Sequence, residues 1–152
     1  MTLDIVKVDS VREAAAAIAA DGDTHFLAGG TILVRVANTG GFSIKRMVLA
    51  DGLGLDGIAF DGDRVGLGAA VTMARIAAEP RLGFLKPVAA SIGGPAVRNM
   101  ATVGGNLFAR YPYGDMAVAL LALDAEASIE GESGERTIPL ADFLPDPRSH
   151  GG

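Results

Sequence analysis

Cysteine is absent from the 152-residue chain. Its own residues therefore offer no disulfide, thiolate metal site, iron–sulfur ligation or cysteine nucleophile. Tryptophan is absent too, and aromatic residues reach only 5%. Basic side chains are outnumbered, 13 Lys and Arg against 18 Asp and Glu, giving a net charge of −5. That balance argues against nucleic acid as the main partner, because neutralising phosphates needs a clustered basic surface. No stretch of about 18 uncharged apolar residues occurs, so no membrane span is expected. The most apolar run, Met116 to Leu123, is too short. The start, Met1 to Ser10, carries Asp4, Lys7 and Asp9 and lacks an apolar signal core. The expectation is a soluble, cytoplasmic protein.

What the chain does have is apolar material and glycine. Hydrophobic residues make up 49% and charged residues 20%, enough for a real core, and glycines number 21. The length suits one domain, or two small lobes sharing a core. Leu3 to Val8 reads as a short strand. Ser10 and Glu13 form a capping box ahead of an alanine-rich helix over 14–20. His25 to Ala28 reads as a strand, and Gly29-Gly30-Thr31 leads into a helix over 32–37, with Thr31 as its N-cap. This β-α-β-α opening forms a first lobe of residues 1–50.

The second part, residues 51–144, has another texture. After a strand over 46–50 at the junction, strands are expected over 55–60 and 64–69, with Asp-Gly and Gly-Asp pairs separating the three. Thr72 caps a helix that runs through Ala78 and stops at Pro80. A further helix over 85–92 ends at Gly93-Gly94-Pro95. Residues 98–114 read as a Gly/Asn/Pro-rich connection. Asp115 opens the helix 116–123 as its N-cap, and 125–130 pairs with 136–139 as a hairpin. Residues 145–152 are expected to be a disordered tail. Strands in series with inserted helices suggest an α+β class.

Two glycine clusters carry the candidate chemistry. Ala28-Gly29-Gly30-Thr31 lies between a strand and a helix, where backbone N–H groups and a helix dipole can hold phosphate. An ordinary strand-to-helix turn would use glycines in the same way. Thr102-Val103-Gly104-Gly105-Asn106 sets short polar side chains beside two glycines; the alternative is a turn with a bulge. Together the two loops would clamp one pyrophosphate. Asp115 suits either a helix cap or a carboxylate accepting from a sugar hydroxyl. Gly52-Leu53-Gly54-Leu55-Asp56-Gly57 fits G-x-G-x-x-G, but strand and turn residues follow where a dinucleotide fingerprint needs a helix. His25 and His150 make no metal-ligand spacing. Arg98 and Arg110 flank the second glycine loop and suit a phosphate or a solvated surface. Tyr111 and Tyr113 suit stacking or bracing of the loop. No self-sufficient acid/base or nucleophile set is present, so the hard chemistry would belong to an organic cofactor.

Three stretches carry a family resemblance. They are Phe26 to Thr31 (FLAGGT), Ile92 to Leu107 (IGGPAVRNMATVGGNL), and Pro112 to Asp115 (PYGD) followed by the apolar run 119–123. In order and spacing these resemble the FAD-binding, or medium, subunit of the xanthine dehydrogenase / carbon monoxide dehydrogenase family of molybdenum hydroxylases, from about residue 3 to about residue 144. The resemblance implies a two-lobed, p-cresol methylhydroxylase-type FAD-binding domain, a small α/β lobe plus a larger α+β lobe, with FAD between them. It implies that Leu27, Ala28, Gly29, Gly30, Thr31, Ile32 and Leu33 wrap the FAD diphosphate through backbone N–H groups. Thr102, Gly104, Gly105 and Asn106 would form the second wall, Asp115 would bind a sugar hydroxyl, and Ile92 would pack near the adenine. Ile32 stands where the family often has a polar residue, which removes one side-chain contact. The resemblance also implies two partners, an iron–sulfur subunit and a large molybdopterin subunit, in a heterotrimer that can dimerise. Electrons would pass from the clusters to FAD and on to an acceptor. Family members continue beyond this length, so the chain reads as truncated at its C-terminus. A flavin-free assembly module of the same complex, and a generic nucleotide binder, are the alternative readings.

Overall fold

The computed structural model describes residues 3–39, 44–109, 112–131 and 134–147. The first lobe is built on three short strands, β1 (Asp4–Val6), β2 (Thr24–Leu27) and β3 (Arg46–Leu49). The last of these runs parallel to both others, giving the order β1-β3-β2. Parallel neighbours need a crossover, and two helices supply it: α1 (Val11–Ala19) and α2 (Leu33–Asn38). Helix α1 starts where its capping residues place it. Ser10 Oγ accepts from Glu13 N–H at 3.1 Å, while the Glu13 carboxylate accepts from Asp9 N–H at 3.0 Å, one residue earlier than the usual reciprocal bond. Such a cap contributes about 1 kcal/mol. Its alanines keep the helix thin, and it packs on β2 and also on a strand of the second lobe, β6 (Glu126–Gly131). Central β3 buries Met47 and Val48 completely or nearly so. Its entrance is fixed by ion pairs of Lys45 with Asp23 and of Arg46 with Asp4 (3.0 Å). The hydrogen bond from Lys45 to Asp23, and then the carboxylate's charge, raise the Lys45 pKa above its ordinary value.

The second lobe opens with a hairpin, β4 (Ile58–Asp61) and β5 (Arg64–Leu67), turning through Gly62 at φ +55. The Asp-Gly punctuation of the sequence marks this turn correctly. The strand expected from residue 55 starts at Ile58, because Leu55 and Gly57 instead accept from Ala70 and Gly68 N–H at 2.8 and 2.9 Å. Helix α3 (Met73–Ala78) is capped by Thr72 as expected, its Oγ1 accepting from Arg75 N–H at 3.3 Å. Pro80 ends α3 by opening a single 3-10 turn, Pro80–Leu82. Then come α4 (Lys86–Ser91), α5 (Pro95–Arg98), α6 (Val103–Leu107) and α7 (Asp115–Ala122). The second hairpin, β6 with β7 (Gly134–Pro139), leads into α8 (Leu140–Phe143). The core holds Val71, Met73, Ile76, Leu82, Leu85, Ala89, Ala101, Val103 and Met116, and the β4–β5 hairpin lays Ile58, Phe60, Val65 and Leu67 over it.

Four expectations are corrected. Thr31 is not an N-cap, since α2 begins at Leu33 after Ile32, with no side-chain cap bond. Pro95 does not merely end α4; it starts α5, in the first turn where its missing N–H costs nothing. The connection 98–114 contains α6, for which Thr102 is the cap. Asp115 is the first residue of α7, and Gly114 at φ +112 holds the cap position, a conformation that favours glycine. The carboxylate still sits in the first turn, where the helix dipole favours it. Residues 145–147 follow α8; the rest of the expected tail, with His150, lies outside the described residues, as do Arg110 and Tyr111. Among the described residues no helix is long and apolar enough to cross a membrane.

Candidate functional site

The two glycine loops meet at a seam between backbones. A Cβ added to Gly29 would lie 1.7 Å from the Met100 carbonyl oxygen and 2.7 Å from its carbonyl carbon. The loop after β2 is thus pressed flat against the chain that enters α6. On the other side of that chain Thr72 and Thr102 face each other in an antiparallel bridge. Met73 N–H donates to Ala101 O and Val103 N–H to Val71 O, both at 2.9 Å. Gly104 N–H donates to Ala69 O at 2.8 Å, and a Cβ on Gly104 would come within 3.0 Å of that oxygen. Both glycines therefore allow close packing of protein on protein.

These contacts frame a cleft of about 550 Å³, lined by Ala28, Gly29, Ala50, Asp51, Gly52, Gly54, Asp56, Ala70, Thr72, Asn99, Met100 and Thr102. That volume falls within the 300–1,000 Å³ typical of cofactor pockets. Gly30 at φ +69 turns the chain beside the cleft. The amides of Gly29, Gly30, Thr31, Ile32 and Leu33 donate to no described residue; the first bonds of the following turn are Val34 N–H to Gly30 O and Val36 N–H to Ile32 O. Five consecutive amides with no acceptor among the described residues are the donor chemistry that an anion needs. The charged residues of the lining are both acidic. Asp51 is paired with Lys7 at 3.0 Å and Asp56 with Arg75 at 3.2 Å, so their charges are offset at the rim. With no lysine or arginine in the lining, an anion would be held by amides.

The residues singled out by the sequence fall into three groups by place. Ala28, Gly29 and Thr102 line the cleft, and Leu27 and Gly30 to Leu33 carry the adjoining loop. Gly104 and Asn106 turn into the second lobe, while Gly105 is exposed at the surface of α6. Asn106 is buried, and its Oδ1 accepts from Ala117 N–H at 3.1 Å, capping α7 from a neighbouring helix. We expect Asn106→Ala to lower stability by about 1–3 kcal/mol through the orphaned amide. Asn106→Asp, which keeps the acceptor, should retain more of it; urea unfolding midpoints compare the two. Ile92 packs against the second core, and Asp115 is exposed at the start of α7; neither lines the cleft. Arg98 is occupied, its guanidinium donating to Ala90 O in the last turn of α4 at 3.0 Å and to Gly93 O just after it at 2.5 Å. Tyr113 receives Arg35 from α2, with a 3.5 Å bond to its hydroxyl and the guanidinium 5.7 Å from its ring centre. Sequence reasoning missed Gly52 and Gly54. Their G-x-G-x-x-G stretch does lack the helix, since β4 follows, yet it lines the cleft in left-handed turns at φ +83 and +69.

Fold and cleft together are those of a two-lobed domain with a ligand-sized cleft. The model of the FAD-binding domain in molybdopterin dehydrogenase matches residues 1–151, and the chain belongs to that family. The 6-hydroxypseudooxynicotine dehydrogenase complex subunit alpha of Paenarthrobacter nicotinovorans is 33% identical over 94% of this chain and 50% of its own length. The carbon monoxide dehydrogenase medium chain of Hydrogenophaga pseudoflava is 31% identical over 89% of this chain and 49% of its own. A solved carbon monoxide dehydrogenase from Hydrogenophaga pseudoflava, lacking the Mo-pyranopterin moiety, superposes with a TM-score of 0.88 at 26% identity, covering 95% of this chain and 52% of that one. The chain thus spans about half the length of the curated relatives it matches.

Proposed function

We propose that this chain is the FAD-binding part of the flavin subunit of a molybdenum hydroxylase. FAD lies between a lobe of residues 1–50 and a lobe of residues 51–144. The observation that carries this reading is the row of free amides from Gly29 to Leu33, held against Met100 by the seam. These five N–H groups would take the diphosphate, and no cation is needed where donors are aligned beforehand. Leu27 and Ala28 lead the chain into that loop. Thr102, with Gly104, Gly105 and Asn106 behind it, holds the facing wall in place. Asp115, for a cofactor hydroxyl, and Ile92, for the adenine portion, stand outside the cleft lining and would reach FAD only where it extends beyond the cleft. FAD, when bound, supplies the redox chemistry, accepting electrons from one donor and passing them to another. This chain's residues bind it, orient it and keep water from its diphosphate. An iron–sulfur subunit and a molybdopterin subunit, in a heterotrimer that dimerises in the cytoplasm, would complete the path.

Titration of the purified chain with FAD tests the reading. Saturable quenching of flavin fluorescence at one FAD per chain is expected, with pyrophosphate and AMP binding at least about tenfold more weakly because each engages part of the cleft. A colourless chain that shows no saturable flavin binding, alone or with its partner subunits, overturns it in favour of an assembly module.

A further inference from the structure

A second, smaller hollow lies where the tip of the β4–β5 hairpin meets the 3-10 turn. Its volume is about 180 Å³, and its walls include Phe60, Asp63, Arg64, Arg81 and Phe84. The Arg81 guanidinium carbon sits 3.5 Å from the centre of the Phe60 ring. Its backbone amide is taken by the Glu79 carboxylate at 3.0 Å, but no described residue accepts from its guanidinium. The ring holds one face of the cation and fixes its plane, leaving the edge donors free in the fork that suits a carboxylate. Beside it Arg64 is 87% exposed and only loosely joined to Glu126, at 3.9 Å. Phe84 stands 57% exposed at the rim.

We propose that this hollow receives one carboxylate side chain, a glutamate or aspartate, presented next to an apolar residue by a segment of a partner protein. Size decides between a protein segment and a free small molecule. Pockets that bury metabolites run to about 300–1,000 Å³, whereas this one suits the end of a single side chain. Composition points the same way, since arginine beside an exposed aromatic ring is the pairing that protein interfaces concentrate at their energetic centres. The chain's net charge of −5 makes the local pair of guanidiniums a distinct feature of an acidic surface. Asp63 is the one carboxylate in the lining. It competes for the same donors and weakens the docking, so its removal should strengthen it.

The test is an NMR titration of the whole chain, following the Arg81 Nε–H signal and the Phe84 ring. The probes are an acetylated, amidated pentapeptide with glutamate between two leucines, its glutamine counterpart, and inorganic phosphate. The glutamate peptide should give saturable shifts at both residues, and the glutamine peptide should bind at least about tenfold more weakly. Arg81→Lys, which keeps the charge but loses the fork, should weaken the glutamate peptide about tenfold, with circular dichroism unchanged. Asp63→Asn should tighten it by roughly two- to fivefold, as expected for removing a like charge at an exposed site. Equal binding of the two peptides, an unaffected Arg81→Lys variant, or no shift at millimolar peptide overturns the proposal. So does displacement by phosphate at equal concentration, which would make the hollow a small-anion site. None of these outcomes depends on whether FAD binds.

Discussion

Gly29→Ala should cut FAD affinity by about 100-fold or more, equivalent to about 2.7 kcal/mol. The new methyl carbon would sit 1.7 Å from the Met100 carbonyl oxygen, far inside any van der Waals contact. A side chain in its place could rotate away, but a carbonyl fixed by the chain entering α6 cannot. Overpacking typically costs about 1–3 kcal/mol, and a rigid backbone neighbour puts this site at or above the upper end. The loop must lift off the second lobe, and its five free amides lose their position relative to Thr102. Each lobe keeps its own core, so far-ultraviolet circular dichroism should change little while hydrogen exchange rises on both sides of the seam. Gly22→Ala is the control, because a Cβ there meets nothing within 4 Å. A Gly29→Ala chain that binds FAD as tightly as the parent would show that the seam does not position the cradle.

The second large effect is on stability. Met73→Ala should cost about 2–5 kcal/mol, the range for removing a fully buried methionine side chain. Met73 has no exposed surface, lies in the centre of the second core, and its N–H also ties α3 to Ala101. For a chain of this size the loss corresponds to a fall of roughly 5–20 °C in Tm. Val118→Ala, on the outer face of α7 where the side chain is 68% exposed, should stay within about 0.5 kcal/mol of the parent. Thermal and urea unfolding of the pair would test the assignment of the core. A Met73→Ala loss no greater than that of Val118→Ala would refute it.

Local signals were legible wherever a residue acts on its own neighbours. Ser10 and Glu13 announce α1, Thr72 announces α3, and Asp-Gly marks the β4–β5 turn. The errors fall where a distant part of the chain overrides local preference. Val103 to Leu107 contains two adjacent glycines and reads as a loop; it is helical because Thr102 caps it, Gly104 bonds to Ala69 and the Asn106 side chain is drawn into α7. Thr31 has the right chemistry for a cap, but the left-handed turn at Gly30 delays the helix and leaves the amides free. The order and spacing of the motifs pointed to the family. They did not show why Gly29 and Gly104 must be glycine, since that follows from carbonyls many positions away. Nor did they show that Gly52 and Gly54, rejected as a nucleotide motif, would line the cleft by another route.

The seam also has a consequence for synthesis on the ribosome. All three strands of the parallel sheet exist once Leu49 has emerged, so the first lobe can pair early. The loop carrying the free amides then has no wall to press against until Met100 and Ala101 appear, and α7 has no complete cap until Asn106 and Ala117 are both out. At about 5–20 residues per second, that leaves the cradle half built for several seconds in every round of translation. The order of emergence is therefore written into the chain: the parallel sheet first, then the second wall of the cleft, and last Met116, which completes the second core.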